Sequence, residues 1–266
     1  VVEPTGPTLA SELAEIWRQR ELLSALIARQ VHVRYAQTWV GVAWVVLKPL
    51  STMLLLWAMF GRVAALPTGG IPYPLFFFSG LVLWFFLSGS ITDSKDSLVD
   101  NADLVRKVYF PRALLPIATV IARLLDLGIM LAFLAVLLVL HGAARPSVLA
   151  AVALLGLAML LATGVGVGLA ALNVRFRDTT HVVPVALQLL LLASPVIYSA
   201  DLVPATWRAV YALNPVVGIV EGFRAAVLGR PLPADAIAIA GAVTAALFAV
   251  GALVFRRMEP AFADHV

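Results

Sequence analysis

Long apolar runs decide what this chain can fold into. Val148–Leu172 and Val63–Thr92 carry no charged side chain, and Ala113–Leu140 carries only Arg123 and Asp126. A membrane-crossing helix needs about 20 mostly apolar residues. A closed β-barrel would alternate apolar and polar residues, whereas these runs are continuous. The chain is 62% hydrophobic and 13% charged, with a mean hydropathy of +0.97, against about 25% charged residues in ordinary soluble domains. These patterns predict an all-α polytopic membrane protein with six spans, at about 39–61, 75–91, 113–140, 148–172, 182–198 and 235–255. A cytoplasmic segment (1–38) and a short tail (257–266) flank this transmembrane domain.

Before the first span, Leu9, Leu13, Ile16, Trp17, Leu23, Ile27 and Val31 fall on one helical stripe, and Glu12, Glu15, Arg18, Gln19 and Arg29 fall elsewhere. This spacing predicts an amphipathic helix lying in the membrane interface; a soluble helix packed on a partner is the alternative. The charge-free stretch between Lys48 and Arg62 is too short to span, so Lys48 falls within the first span, about 9 Å from its inner end at 1.5 Å per residue. It either snorkels or faces a wet cavity and helps to hold an anion. Arg123 and Asp126, three residues apart, can pair on one helix face. Gly164 and Gly168 form a GxxxG that permits close helix approach. Between spans five and six, Ser199–Ala234 is too long for a turn and too interrupted for a span. Pro204 opens one short helix, and Asn214 and Pro215 cap and open another that stops at Gly229. Both are expected to be re-entrant or interfacial on the outer side. Glu221 and Arg224 can pair across one turn of the second.

Six spans put both termini on one side. Of the nineteen Lys and Arg residues, thirteen fall on that side. Arg62, Arg145, Arg208, Arg224 and Arg230 fall on the other, and Arg123 lies mid-span. The positive-inside rule then places both termini in the cytoplasm. The basic excess is read as this topology signal and not as a nucleic-acid surface. On the same side lies NADLVRKVYFPR, residues 101–112, a polar basic segment between two apolar runs. Asn101 is a candidate cap, Leu104, Val105 and Val108 share one side, and Pro111 starts the next span. A compact basic helix between two spans is suited to docking another protein.

Several chemistries are missing. There is no cysteine, which removes disulfides and thiolate metal sites. No GxxxxGK[ST], HExxH or GxSxG occurs, and His32, His141, His181 and His265 are scattered. GVGVG at 164–168 lacks the spacing of a dinucleotide fingerprint. No cofactor or metal is expected on this chain. The opening VVEPTGPTLASELAE has no basic n-region or early apolar core, so the first span is expected to direct insertion. Few titratable groups sit at membrane depth, which argues against an ion-coupled carrier. The chain reads as a passage powered by a cytoplasmic partner.

Six segments carry a family resemblance. They are RQVHVRYAQTWVGVAWVVLKPL (29–50), GIPYPLFFFSGLVLWFF (70–86), DSLVDNADLVRKVYFPR (96–112), NVRFRDTTHVV (173–183), SPVIYS (194–199) and NPVVGIVEGFR (214–224). In this order they resemble the permease subunits of ABC-2 type polysaccharide exporters, the Wzm-like exporters of O-antigen, teichoic acid and galactan. The resemblance implies a homodimer in the inner membrane with two Wzt-like ATPase subunits, ATP and Mg being bound by those partners. It implies a coupling helix at about Asp96–Tyr109, with Asp96, Asn101, Leu104, Arg106, Lys107 and Tyr109 facing the ATPase. Arg177 and Asp178 would make a second contact. The implied cargo is a polysaccharide linked to undecaprenyl diphosphate, and the implied channel is lined by aromatic residues. Trp44, Trp57, Phe60, Phe85, Phe86 and Tyr198 are the channel candidates. Arg29, Arg34 and Lys48 are candidates for the diphosphate, since cationic groups bind phosphate oxygens. Glu221 and Arg224 would belong to an outer gate helix. The rivals are an ABC-2 permease for a drug or small lipid and a membrane-embedded glycosyltransferase.

Overall fold

The computed structural model describes residues 18–36, 41–63, 67–108, 110–142 and 147–262. Tyr109, Arg145 and the part of the N-terminal stripe before Arg18 lie outside the described residues. The described chain is helical, in ten α-helices with no strand among them. They are α1 (Arg20–Tyr35), α2 (Trp44–Leu56), α3 (Tyr73–Asp96), α4 (Ala102–Lys107), α5 (Leu114–Leu140), α6 (Val148–Arg175), α7 (Thr179–Leu192), α8 (Ala205–Ala212), α9 (Pro215–Val227) and α10 (Ala234–Met258). A 3₁₀ turn at Gly41–Ala43 leads into α2 and a π-helical turn at Trp57–Val63 extends it.

Five helices are long and apolar enough to cross a membrane: 41–61, 73–96, 114–140, 148–175 and 234–258. The axis of the subunit is α3. Of its apolar window 78% is buried inside the subunit, against 17–33% for the other four. Its aromatic run fills the core: Phe76, Phe77, Phe78 and Phe86 are each at most 2% exposed. The outward faces of the other helices remain apolar, as they must to meet lipid or another subunit.

Close crossings fix the outer layer. A Cβ on Gly251 of α10 would lie 1.9 Å from the carbonyl oxygen of Gly164, and one on Gly168 would lie 2.9 Å from the Cα of Gly251. The GxxxG of α6 therefore meets a glycine on α10, backbone against backbone. Gly218 gives α9 the same approach to α10, since its Cβ would sit 2.1 Å from the Ala236 oxygen.

The expected fifth span differs. The apolar run 182–198 holds a helix only to Leu192. Its 14 residues rise about 21 Å, short of a hydrocarbon core about 30 Å thick. Ser194 and Pro195 then turn, because the side-chain amide of Asn214 donates to the Ala193 oxygen (2.9 Å) and the Ser194 hydroxyl (2.9 Å). The same residue caps α9 by accepting from the Val216 N–H, as its position before Pro215 predicts. Helices α8 and α9 meet at a 96° bend.

The α3–α5 connection, the α6–α7 turn, α1 and the C-terminal end of α10 gather at one end of the bundle. The residues around 69, 142 and 230 gather at the other. At the first end, Arg112 donates to the Glu259 oxygen (2.7 Å) and lies over the Phe262 ring. This ties the end of α10 to the segment between α3 and α5.

Candidate functional site

The segment between α3 and α5 has a rigid root and an exposed tip. Lys95 is 2% exposed and pairs with Asp96. Ser94 bonds the Thr119 hydroxyl and the Pro116 oxygen of α5. Helix α4 comes next, with Val105 buried and Arg106 and Lys107 turned outward. Lys107 pairs with Asp103 one turn back at 2.9 Å and by this hydrogen bond holds the Asp103 carboxyl below its usual range. Leu104 is half-buried, and beside it Arg29, Asn101 and Lys107 line a recess of about 570 Å³.

Asn101 occupies the cap position without capping. Its amide donates to the Ser97 oxygen (2.7 Å) and its oxygen accepts from Arg29 of α1 (2.7 Å). Asn101 thus fastens α1 to the segment between α3 and α5. Arg177 and Asp178 are exposed at the same end, in the turn between α6 and α7.

A second site lies between α2, α3 and α5. Here the Arg123–Asp126 pair (3.1 Å) is half of a larger node. Arg123 also donates twice to Asp93 of α3, at 2.8 and 3.0 Å. Arg34 of α1 reaches Asp93 at 2.6 Å and Asp126 at 3.1 Å, and the Tyr35 hydroxyl donates to Asp126. Two arginines and two aspartates balance at zero net charge. Guanidinium forks suit such an arrangement because each can serve two carboxylates. Gly89 makes room for it: a Cβ there would stand 2.8 Å from the Arg123 Cζ. Asp93 and Tyr35 are not expected from sequence, because their partners lie 30 to 91 residues away.

The node forms the floor of a cleft of about 240 Å³ whose walls include Trp44, Lys48, Phe85 and Phe86. Lys48 therefore faces a cavity. Its Nζ lies 5.4 Å from the Phe85 ring centroid, and no carboxylate among the described residues pairs with it. Of the three cations expected to serve a diphosphate, Lys48 lines the cleft with no carboxylate partner among the described residues. Arg34 is held by two carboxylates and Arg29 by Asn101.

The six aromatic candidates do not form one set. Trp44 (56% exposed), half-buried Phe85 and the nearly covered Phe86 (1% exposed) line the cleft. Trp57 and Phe60 sit on the π-turn beyond α2. Tyr198 lies in the turn after α7, beside Tyr211, with its hydroxyl on the Leu192 oxygen.

The third site is the bent pair α8–α9. Arg224 of α9 is 3% exposed. It pairs with Glu221 at 2.8 Å, as the spacing predicts. It also donates to the carbonyls of Pro195 (2.8 Å) and Phe76 (3.3 Å), with its Cζ 3.9 Å from the Phe76 ring centroid. One side chain thereby joins α9, α3 and the turn after α7. No cluster of metal-ligating side chains occurs among the described residues.

Five long apolar helices, a shorter apolar helix and a bent pair define a multi-span helical membrane protein. The chain belongs to the ABC-2 type transporter family, whose profile matches residues 21–228. Family membership implies a membrane setting and an ATPase partner. The chain is 30% identical to the O-antigen export system permease protein RfbA of Myxococcus xanthus, over 95% of this chain and 98% of that one. It is 26% identical to the Klebsiella pneumoniae protein of the same name, over 92% of this chain and 94% of that one. It is also 26% identical to the polysialic acid transport protein KpsM of Escherichia coli, over 79% and 82% respectively.

Proposed function

We propose that this chain is the permease subunit of an ATP-driven exporter of lipid-linked polysaccharide. It works as a homodimer in the inner membrane with two Wzt-like ATPase subunits, and both termini face the cytoplasm. The observation that carries this reading is the end-to-end similarity to an O-antigen export permease. The ATPase docks on the segment from Asp96 through α4 to Tyr109, with Arg106 and Lys107 outward, and touches Arg177 and Asp178 second. ATP and Mg stay on that partner.

The cleft supports a role in meeting the cargo. Lys48 supplies the cation for the undecaprenyl diphosphate, while Trp44 and Phe85 offer ring faces to sugars. Arg29 and Arg34 serve less directly, by holding α1 against Asn101 and against the node. Glu221 and Arg224 hold the outer pair, and Trp57, Phe60 and Tyr198 lie farther along the path from the cleft.

The test is charge reversal, Arg106→Glu with Lys107→Glu. Co-purification with the ATPase and its stimulation by lipid-linked glycan should both be lost while the permease still accumulates. Unchanged assembly and stimulation would make the docking role wrong. Stimulation by a small amphiphile, with none by glycan, would favour a drug or small-lipid permease instead.

A further inference from the structure

The two loops at the docking end meet at one buried amide. Asn173, in the last turn of α6, is 5% exposed. Its Nδ2 donates to the Lys95 oxygen (3.1 Å) and to Asp96 Oδ1 (3.3 Å), both at the root of the docking segment. Its Oδ1 accepts from the Thr179 hydroxyl, and from Thr180 at 3.4 Å, in the first turn of α7. Thr179 also shares its proton with the Phe176 oxygen. Both donor hydrogens and both lone pairs of the amide are therefore placed, each half on a different loop. A satisfied buried network of this kind moves as one piece.

Beyond Thr179 the chain is loosely held. Val183 is the buried side chain of α7, and the rest of that helix is half-buried or exposed. Pro184 inside it removes one helical hydrogen bond, yet the helix runs unbroken from Thr179 to Leu192. Its far end runs into the Ser194–Pro195 turn, whose Pro195 oxygen is held by Arg224 of α9. A path of direct contacts thus leads from the docking segment through Asn173 and Thr179, along α7, to the outer bent pair.

We propose that the Asn173–Thr179 hydrogen bond transmits displacement of the docking segment to α7, and that α7 acts as a push rod on the turn held by Arg224. Asn173 and Thr179 are positioning residues that contact neither cargo nor nucleotide. The inference rests on the docking of an ATPase at α4 proposed above. It adds that the stroke leaves the docking segment by this route, and not only through α3 and α5.

The experiment uses the full complex with its ATPase in proteoliposomes and reads glycan exported per ATP hydrolysed. Thr179→Val removes the hydroxyl with little change of shape, and Thr179→Ser keeps it. With Thr179→Val, assembly and ATP hydrolysis should persist while export per ATP falls about fivefold or more, the factor set by losing a coupling of about 1 kcal/mol. Thr179→Ser should restore the ratio. Parental export per ATP in Thr179→Val overturns the inference, and so does equal loss in both variants or failure of Thr179→Val to assemble. If Thr179→Val does not accumulate, Asn173→Asp decides on the same ratio, because it still accepts from Thr179 but cannot donate to Lys95 and Asp96. An Arg106→Glu, Lys107→Glu complex that still assembles and responds to glycan would instead sink the docking reading beneath it.

Discussion

Replacing Asp93 with Asn should destabilise the subunit, and removing Arg34 as well should give part of the loss back. Asp93 receives three charge-assisted hydrogen bonds, two from Arg123 at 2.8 and 3.0 Å and one from Arg34 at 2.6 Å. With Asn there, two guanidinium groups share the single charge of Asp126, and the node moves from neutral to +1. Leaving one partner of a buried ion pair uncompensated costs about 3–5 kcal/mol. Asp93 is 27% exposed and Arg34 and Arg123 are 18% and 24% exposed. Partial hydration therefore lowers the expected loss to about 2–3 kcal/mol. Arg34→Gln with Asp93→Asn restores neutrality, since Arg123 and Asp126 remain paired. Its loss should fall short of the sum of the two single losses by about 1 kcal/mol or more, within the range for residues of one network. Reversible unfolding in mixed micelles, titrated with a denaturing detergent and followed by tryptophan fluorescence, measures all four proteins. Strict additivity would refute the reasoning, for it would mean that the four charges are independently solvated.

Gly251→Ala should destabilise by about 1–3 kcal/mol or more, because the new methyl would meet the Gly164 carbonyl, which belongs to a helix backbone and cannot step aside. Gly128→Ala is its control. Nothing lies within 4 Å of a Cβ there, and the same unfolding assay should show no loss and a gain of up to about 1 kcal/mol from helix propensity. Arg224→Lys keeps the charge but cannot reach the carbonyls of Pro195 and Phe76 together; the turn should loosen, seen as faster maleimide labelling of a cysteine placed at Ile197 in this cysteine-free chain. Lys48→Gln should raise the KM for lipid-linked glycan about tenfold, the worth of one hydrogen bond to a charged group, with export at saturation little changed. Asp103 should titrate below the usual carboxylate range. Because the folded value is lowered, the α4 pair is present at neutral pH and lost as pH falls through that value, and Lys107→Ala should move the carboxyl resonance midpoint upward.

Sequence reveals most of the architecture here because lipid imposes a simple rule: backbone polar groups must pair within their own helix, so length and apolarity suffice to find a span. The five long helices lie within a few residues of the apolar runs. Asn214–Pro215 marks the start of α9 because cap and first-turn proline act locally. The end of α7 is not legible in the same way. The run continues past Leu192 without a charge, and what stops the helix is Asn214, twenty-one residues on from Ala193. The same limit applies to the node. Arg123 and Asp126 are neighbours on one helix and can be paired by counting, whereas Asp93 reads as part of a polar loop until α3 is seen to carry it alongside α5. The GxxxG announces a close crossing but not its partner, since Gly251 stands in an α10 sequence with no matching repeat.

Burial is unevenly shared among the helices. Helix α3 is the most buried of the long helices and is clipped at both ends, by Asp93 and the carbonyl of Lys95 at one and by the carbonyl of Phe76 at the other. Elements with few buried contacts shift at lower free energy than a core helix. By that criterion α2, with Pro49, Met53 and Leu56 buried, and α7, with Val183, are held less tightly within the subunit than α3. Lys48 and Trp44 ride on α2 while Phe85 stays with α3, so any shift of α2 changes the width of the cleft directly. The charged node sits at the root of that movement. It fastens α1, which precedes α2, to α3 and α5 through Arg34, and it leaves the floor of the cleft neutral beneath the Lys48 ammonium.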